Sequence, residues 1–116
     1  MHLWVVGRDG SVVRDYPVTG RPGWPRPGTY HVFSKSVMSS AHNGALRLPY
    51  MTRFAVSGSG LAIGFHGIPL RSNGTPIQGD AELGEFRSAG CVRMNQNDIK
   101  VLWNWAPIGT TVVVLP

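Results

Sequence analysis

Two residues in this chain could carry covalent chemistry. Cys91 is its only cysteine and stands in Ser88-Ala89-Gly90-Cys91-Val92-Arg93-Met94, after a glycine and shortly before an arginine. His66 lies upstream in Phe65-His66-Gly67, between an apolar residue and a glycine. A thiol and an imidazole are the minimum parts of a nucleophilic acyl-transfer site, and a fold can join such partners across sequence distance. The thiolate is the attacking form, and a free cysteine has a pKa of about 8.5. An imidazole can take its proton, and Arg93 adds positive potential near the sulfur. Gly90 lets the backbone approach closely, so the N–H groups of Ala89, Gly90 and Cys91 can converge on an oxyanion, each donor contributing about 3 kcal/mol. The residue types alone leave a bland reading open. A lone cysteine is commonly a small buried hydrophobe, and a lone histidine a hydrogen-bonded core residue.

The elements that must position these groups read mainly as strands. Residues 2–6 and 11–18 are apolar-rich runs around Gly7-Arg8-Asp9-Gly10, a strong hairpin signal. Trp4 is expected in the core. Residues 19–27 form a Pro/Gly-rich loop that cannot be regular helix. Residues 28–34 alternate as a strand, with Tyr30 and Val32 on one face and His31 at the surface. Residues 35–48 are small and polar, without a convincing period, and read as a long loop carrying a solvated His42. Two strands then flank Gly58-Ser59-Gly60, the second delivering His66 at its end, a precise placement for a functional group. Asp80, Glu82 and Glu85 lack an apolar context and read as solvated loop charges. Asn95 or Asn97 caps a short helix with Ile99, Leu102 and Trp103 on one face. Pro107 and Gly109 end it. Residues 110–115 are β-branched and read as a buried strand.

The 116 residues suit one domain spanning 1–116. A charged share of 15% with Gly 15 and Pro 9 favours a turn-rich, mostly β fold. One cysteine excludes an internal disulfide and a cysteine-based zinc cluster. The histidines at 2, 31, 42 and 66 have no metal-ligand spacing, so neither metal nor cofactor is expected. The net charge of +5 is spread singly, without the stripe or motif of a nucleic-acid binder. It suits an anionic polymer equally well. No apolar run approaches a membrane span, and no signal peptide is visible.

The motifs together resemble the L,D-transpeptidase catalytic domain (YkuD family). His66-Gly67 followed by Ser88-Ala89-Gly90-Cys91-Val92-Arg93 is similar to its His-Gly and Ser/Thr-His-Gly-Cys-apolar-Asn/Arg signature. Pro25-Arg26-Pro27-Gly28-Thr29-Tyr30, Leu48-Pro49-Tyr50-Met51-Thr52-Arg53-Phe54 and Ala106-Pro107-Ile108-Gly109-Thr110-Thr111-Val112-Val113-Val114 extend the likeness over nearly the whole chain. Two departures stand out: Ala89 occupies the place of the motif histidine, and residues 68–87 run slightly long.

The resemblance implies a mixed β-sheet or sandwich with one short helix. It implies a monomeric enzyme of the cell envelope, outside the cytoplasm, that joins peptidoglycan stem peptides by 3→3 cross-links and is open to carbapenem inhibition. Cys91 would be the nucleophile and His66 the base, with its second nitrogen bonded to the Gly67 carbonyl in place of a carboxylate. Arg93, Tyr50 and Ser88 would meet substrate, Arg93 by holding a carboxylate. The competing readings are an L,D-carboxypeptidase or wall-targeting toxin using the same thioester, and a wall-binding module with a decayed site, for which Ala89 is the argument.

Overall fold

The computed structural model describes residues 1–21, 23–41, 44–83 and 91–116. The chain opens with the expected hairpin, β1 (His2–Val6) antiparallel to β2 (Val12–Pro17). Its turn is closed by the Asp9 carboxylate accepting from the Ser11 N–H at 3.0 Å, with Gly10 at φ 84 where a side chain would be strained. Trp4 departs from expectation: it is 53% exposed and its ring packs at a tilt against that of His2, centroids 4.9 Å apart. Val5 and Tyr16 fill the core from this hairpin instead. A short run of alternating apolar residues does not say which face turns inward.

The main sheet has the order β4–β5–β6–β8, from β4 (Ser34–Ala41), β5 (Leu46–Val56), β6 (Ala62–Gly67) and β8 (Val92–Met94). A short β7 (Leu70–Arg71) pairs with the start of β5. β4, β5 and β6 run antiparallel, whereas β6 and β8 are parallel, with His66 in register with Arg93. A separate pair joins β3 (Gly28–His31) to β9 (Thr111–Val114). Among the described residues the fold is therefore mostly β, a mixed sheet with one α-helix, as expected.

The region expected as a long loop is the largest difference. Residues 34–41 form a full strand, and β5 begins at Leu46. Serine-rich and only partly buried, β4 has little strand propensity of its own; pairing with β5 along its length outweighs that. His42 lies outside the described residues. The last strand, β9, is not buried either: its partner is the short β3, and Val113 is 59% exposed.

The helix α1 (Gln96–Trp105) is capped by Asn95, whose side chain accepts from the N–H groups of Asn97 and Asp98. It lays Ile99 and Leu102 against the sheet, where Phe54, Ile63, Phe65, Val92 and Met94 complete one core. Successive strand residues face opposite sides. With Ile63 and Phe65 turned into this core, Ala62, Gly64 and His66 face the other side of β6.

Candidate active site

His66, on β6, and Cys91, the residue just before the parallel strand β8, line one cleft of about 430 Å³ on the face away from α1. His66 is 2% exposed, and its Nδ1 donates to the Gly67 carbonyl oxygen at 2.6 Å. That bond places the proton on Nδ1 and leaves the lone pair on Nε2. Burial pushes His66 down to about 4; the Gly67 bond opposes the shift and the Arg93 charge adds to it. At neutral pH the ring is an uncharged acceptor.

Gly67 is held by more than its carbonyl. A Cβ there would overlap Oε1 of Gln96, whose Nε2 donates to the Ile68 carbonyl at 2.8 Å. The first turn of α1 thus closes over the His-Gly pair.

Cys91 enters β8 one residue before its register with β6 begins, and is half-buried. Its Sγ lies 3.9 Å from the Ala62 carbonyl oxygen. Burial pushes the thiol up; a backbone hydrogen bond from Gly64 and the charges of Arg93 and Arg53 pull it back only in part. The sequence placed positive potential from Arg93 near the sulfur. Desolvation of the sulfur outweighs it, so the resting pair is a neutral thiol and a neutral imidazole.

Arg93 lines the cleft, half-buried, and donates from Nη1 to Gln78 Oε1 at 3.0 Å. Gln78 is 5% exposed and in turn reaches Thr19 Oγ1 at 3.3 Å. Thr19 is fully buried, and its backbone bridges that of Arg93 in both directions, at 2.7 and 2.8 Å. Sequence reasoning missed Gln78 and Thr19, because both sit in segments read as loops.

The structure places Tyr50 elsewhere. Its backbone has φ 54, and its ring packs edge-on to Trp103 of α1 at 5.8 Å. From β5 it is Leu46 and Leu48 that line the cleft. Trp24 lines it as well, with the guanidinium groups of Arg21 and Arg26 at 5.6 and 5.5 Å from its ring. Ser88, Ala89 and Gly90, assigned to substrate contact and the oxyanion hole, lie outside the described residues, as does Glu85. Asp80 accepts from Asn95 at 2.6 Å and supports the start of α1. Among the described residues no group of three His, Cys, Asp or Glu could hold a metal, and no helix is long and apolar enough to cross a membrane.

The chain is similar to known proteins over nearly its whole length. The family model of the L,D-transpeptidase catalytic domain, YkuD, matches residues 1–114. Among solved structures, an L,D-transpeptidase from Stackebrandtia nassauensis is 28% identical with a TM-score of 0.67, covering 99% of this chain and 50% of that one. An L,D-transpeptidase from Mycobacterium smegmatis gives a TM-score of 0.70 at 17% identity, covering 93% and 51%. An LD transpeptidase in complex with imipenem gives 0.68 at 20%, covering 94% and 52%. The chain thus spans about half the length of these structures. No curated protein matches it.

Proposed function

The chain belongs to the YkuD family of L,D-transpeptidase catalytic domains, and from that premise we propose that it is a cysteine acyltransferase of peptidoglycan stem peptides. The observation that carries this reading is the pair itself: a neutral imidazole, fixed by Gly67, in one cleft with the chain's only thiol.

The neutral pair sets the order of events. His66 Nε2 takes the Cys91 proton as the sulfur attacks the carbonyl preceding the terminal D-alanine of a tetrapeptide stem. The C–N bond breaks, the imidazolium returns its proton to the leaving amine, and a thioester remains on Cys91. The side-chain amine of a second stem then attacks the thioester, giving a 3→3 cross-link and the free thiol. The imidazolium forms beside Arg93 and in a buried site, so it is short-lived; proton transfer is concerted with attack rather than preceding it. The backbone N–H of Cys91, with those of Ala89 and Gly90, serves the oxyanion, and Ser88 shapes the same loop. Arg93 offers a planar fork to a substrate carboxylate.

Such a substrate places the protein in the cell envelope, outside the cytoplasm. A carbapenem would acylate the same sulfur. The test is intact mass after incubation with a tetrapeptide stem and, separately, with a carbapenem. The expected adduct is absent in Cys91→Ala and forms far more slowly in His66→Ala. No adduct from either reagent in the unaltered protein would overturn the reading.

A further inference from the structure

The sheet face that carries His66 and Cys91 also carries a cation assembly that the reaction above does not use. Arg53 of β5 is half-buried, and its guanidinium donates to three serine hydroxyls of β4: Nη1 to Ser34 at 3.2 Å and to Ser36 at 2.9 Å, and Nη2 to Ser39 at 3.2 Å. These acceptors are neutral, so they fix the group without cancelling its charge. Among the described residues no carboxylate forms an ion pair with Arg53; the ion pair there is His2–Asp15.

The position is as telling as the cradle. Arg53 is opposite Gly64 in the β5–β6 register, and Gly64 is the residue whose backbone reaches the Cys91 thiol. With no side chain on Gly64, nothing from β6 stands between Arg53 and Cys91; a Cβ there would overlap the Thr52 carbonyl oxygen and crowd the Arg53 Cα. The cleft is lined by Leu46 and Leu48 of β5, upstream of Arg53, and by Ser57 just past the strand's end, and Arg53 lies between these positions along the chain. The Arg53 charge is felt at the sulfur, where it stabilises the thiolate.

Two strand spacings, about 10 Å, separate the backbones of Arg53 and Cys91. A carboxylate one residue beyond a scissile carbonyl lies about 4 Å from the carbonyl carbon, within this gap. Serine hydroxyls that accept from a guanidinium still have a proton to donate, so the cradle presents both charge and O–H groups to an anion. The cations that line the cleft itself are placed differently: Arg93 is drawn to Gln78, and Arg21 lies on the loop with Trp24.

Resting on the acyl-transfer reading above, we propose that Arg53, held by Ser34, Ser36 and Ser39 and set across Gly64 from Cys91, receives the free carboxylate of the residue that the acyl donor releases. Arg53 is then a specificity-determining residue, and the enzyme selects donors ending in a free acid one residue beyond the scissile bond.

The experiment compares acylation of Cys91 by two tetrapeptide stems that differ only in a C-terminal D-alanine acid or D-alanine amide. The unaltered protein, Arg53→Met, Arg53→Lys and the triple variant Ser34→Ala/Ser36→Ala/Ser39→Ala are followed by intact mass. The unaltered protein should favour the acid by about tenfold or more in kcat/KM. Arg53→Met should bring the acid-to-amide ratio near one, chiefly through KM, and Arg53→Lys should restore part of it. Releasing the guanidinium in the triple serine variant should lower the ratio with Arg53 still present, which keeps the test open if Arg53→Met does not fold. Equal use of both donors by the unaltered protein, a ratio that survives Arg53→Met, or a ratio lost in Arg93→Gln instead would overturn the assignment while leaving the acyl-transfer reading intact. No acylation by either donor in the unaltered protein would overturn both.

Discussion

His66 Nδ1 donates to the carbonyl oxygen of Gly67, the next residue along its own strand, at 2.6 Å. A backbone carbonyl orients the ring and sets its tautomer as an acidic partner would, but supplies no negative charge to stabilise an imidazolium. Because the ring is 2% exposed, the neutral form wins.

Acid should therefore act on folding through His66. Burial, aided by the Arg93 charge and opposed by the Gly67 bond, holds its pKa at about 4, below the ordinary 6.5. The unfolded chain then binds the proton more readily than the folded one. This contribution to stability is complete above about pH 6.5 and is lost as pH falls toward 4, by about 3 kcal/mol. Urea midpoints measured across that window should drop accordingly. His66→Gln, with nothing to protonate there, should show a correspondingly shallower fall; an unchanged slope would count against the buried neutral ring.

The thiol should behave in the opposite sense to a pre-formed thiolate. Burial raises the Cys91 pKa despite the Gly64 hydrogen bond and the charges of Arg93 and Arg53. Iodoacetamide alkylation followed against pH should rise with a midpoint above the ordinary cysteine value, with no plateau of high reactivity near neutrality. Removing one of the compensating charges in Arg93→Gln should move the midpoint further up. A midpoint below 7 would mean that an ion pair exists at rest.

How far these groups were legible in the sequence follows from what each depends on. Cys91, His66 and Gly67 could be read because short motifs fix them to adjacent strand ends. The hairpin at Asp9-Gly10 and the cap at Asn95 could be read because local backbone geometry demands those residue types. The strand at 34–41 could not: its serines carry no periodic signal, and it exists because β5 pairs with it. The packing of the Tyr50 ring against Trp103 could not be read for a related reason. The positive φ of Tyr50 turns the chain locally, and no motif in Leu48-Pro49-Tyr50 announces that turn. Gln78 and Thr19 meet Arg93 only through tertiary folding, so their polar side chains looked like ordinary loop residues.

Gly67→Ala should damage the site through α1 rather than through strand propensity. The added Cβ would overlap Gln96 Oε1 and press on Ile99, forcing Gln96 off the Ile68 carbonyl and shifting the helix start from the His-Gly pair. A loss of about 2 kcal/mol is expected from overpacking and the broken hydrogen bond, with slower acylation of Cys91. Gly67→Ala/Gln96→Ala should recover part of the stability, because the clash is gone. If the double variant is no more stable than Gly67→Ala, the close approach of Gln96 is not what requires glycine.

Gln78 allows the structural and electrostatic roles of Arg93 to be separated. Gln78→Leu removes the acceptor of Arg93 Nη1 and the donor to buried Thr19 Oγ1, and should cost about 1–3 kcal/mol for the two hydrogen bonds lost. Gln78→Glu restores an acceptor, and the Thr19 hydroxyl can donate to it, so thermal stability should return toward that of the unaltered protein. The new carboxylate also offsets the Arg93 charge that helps to stabilise the Cys91 thiolate. Alkylation of Cys91 in Gln78→Glu should therefore be slower and its midpoint higher than in the unaltered protein, although the fold is repaired. If stability and thiol reactivity instead recover together, Arg93 acts on Cys91 through packing alone; if they diverge as expected, its charge is what the site uses.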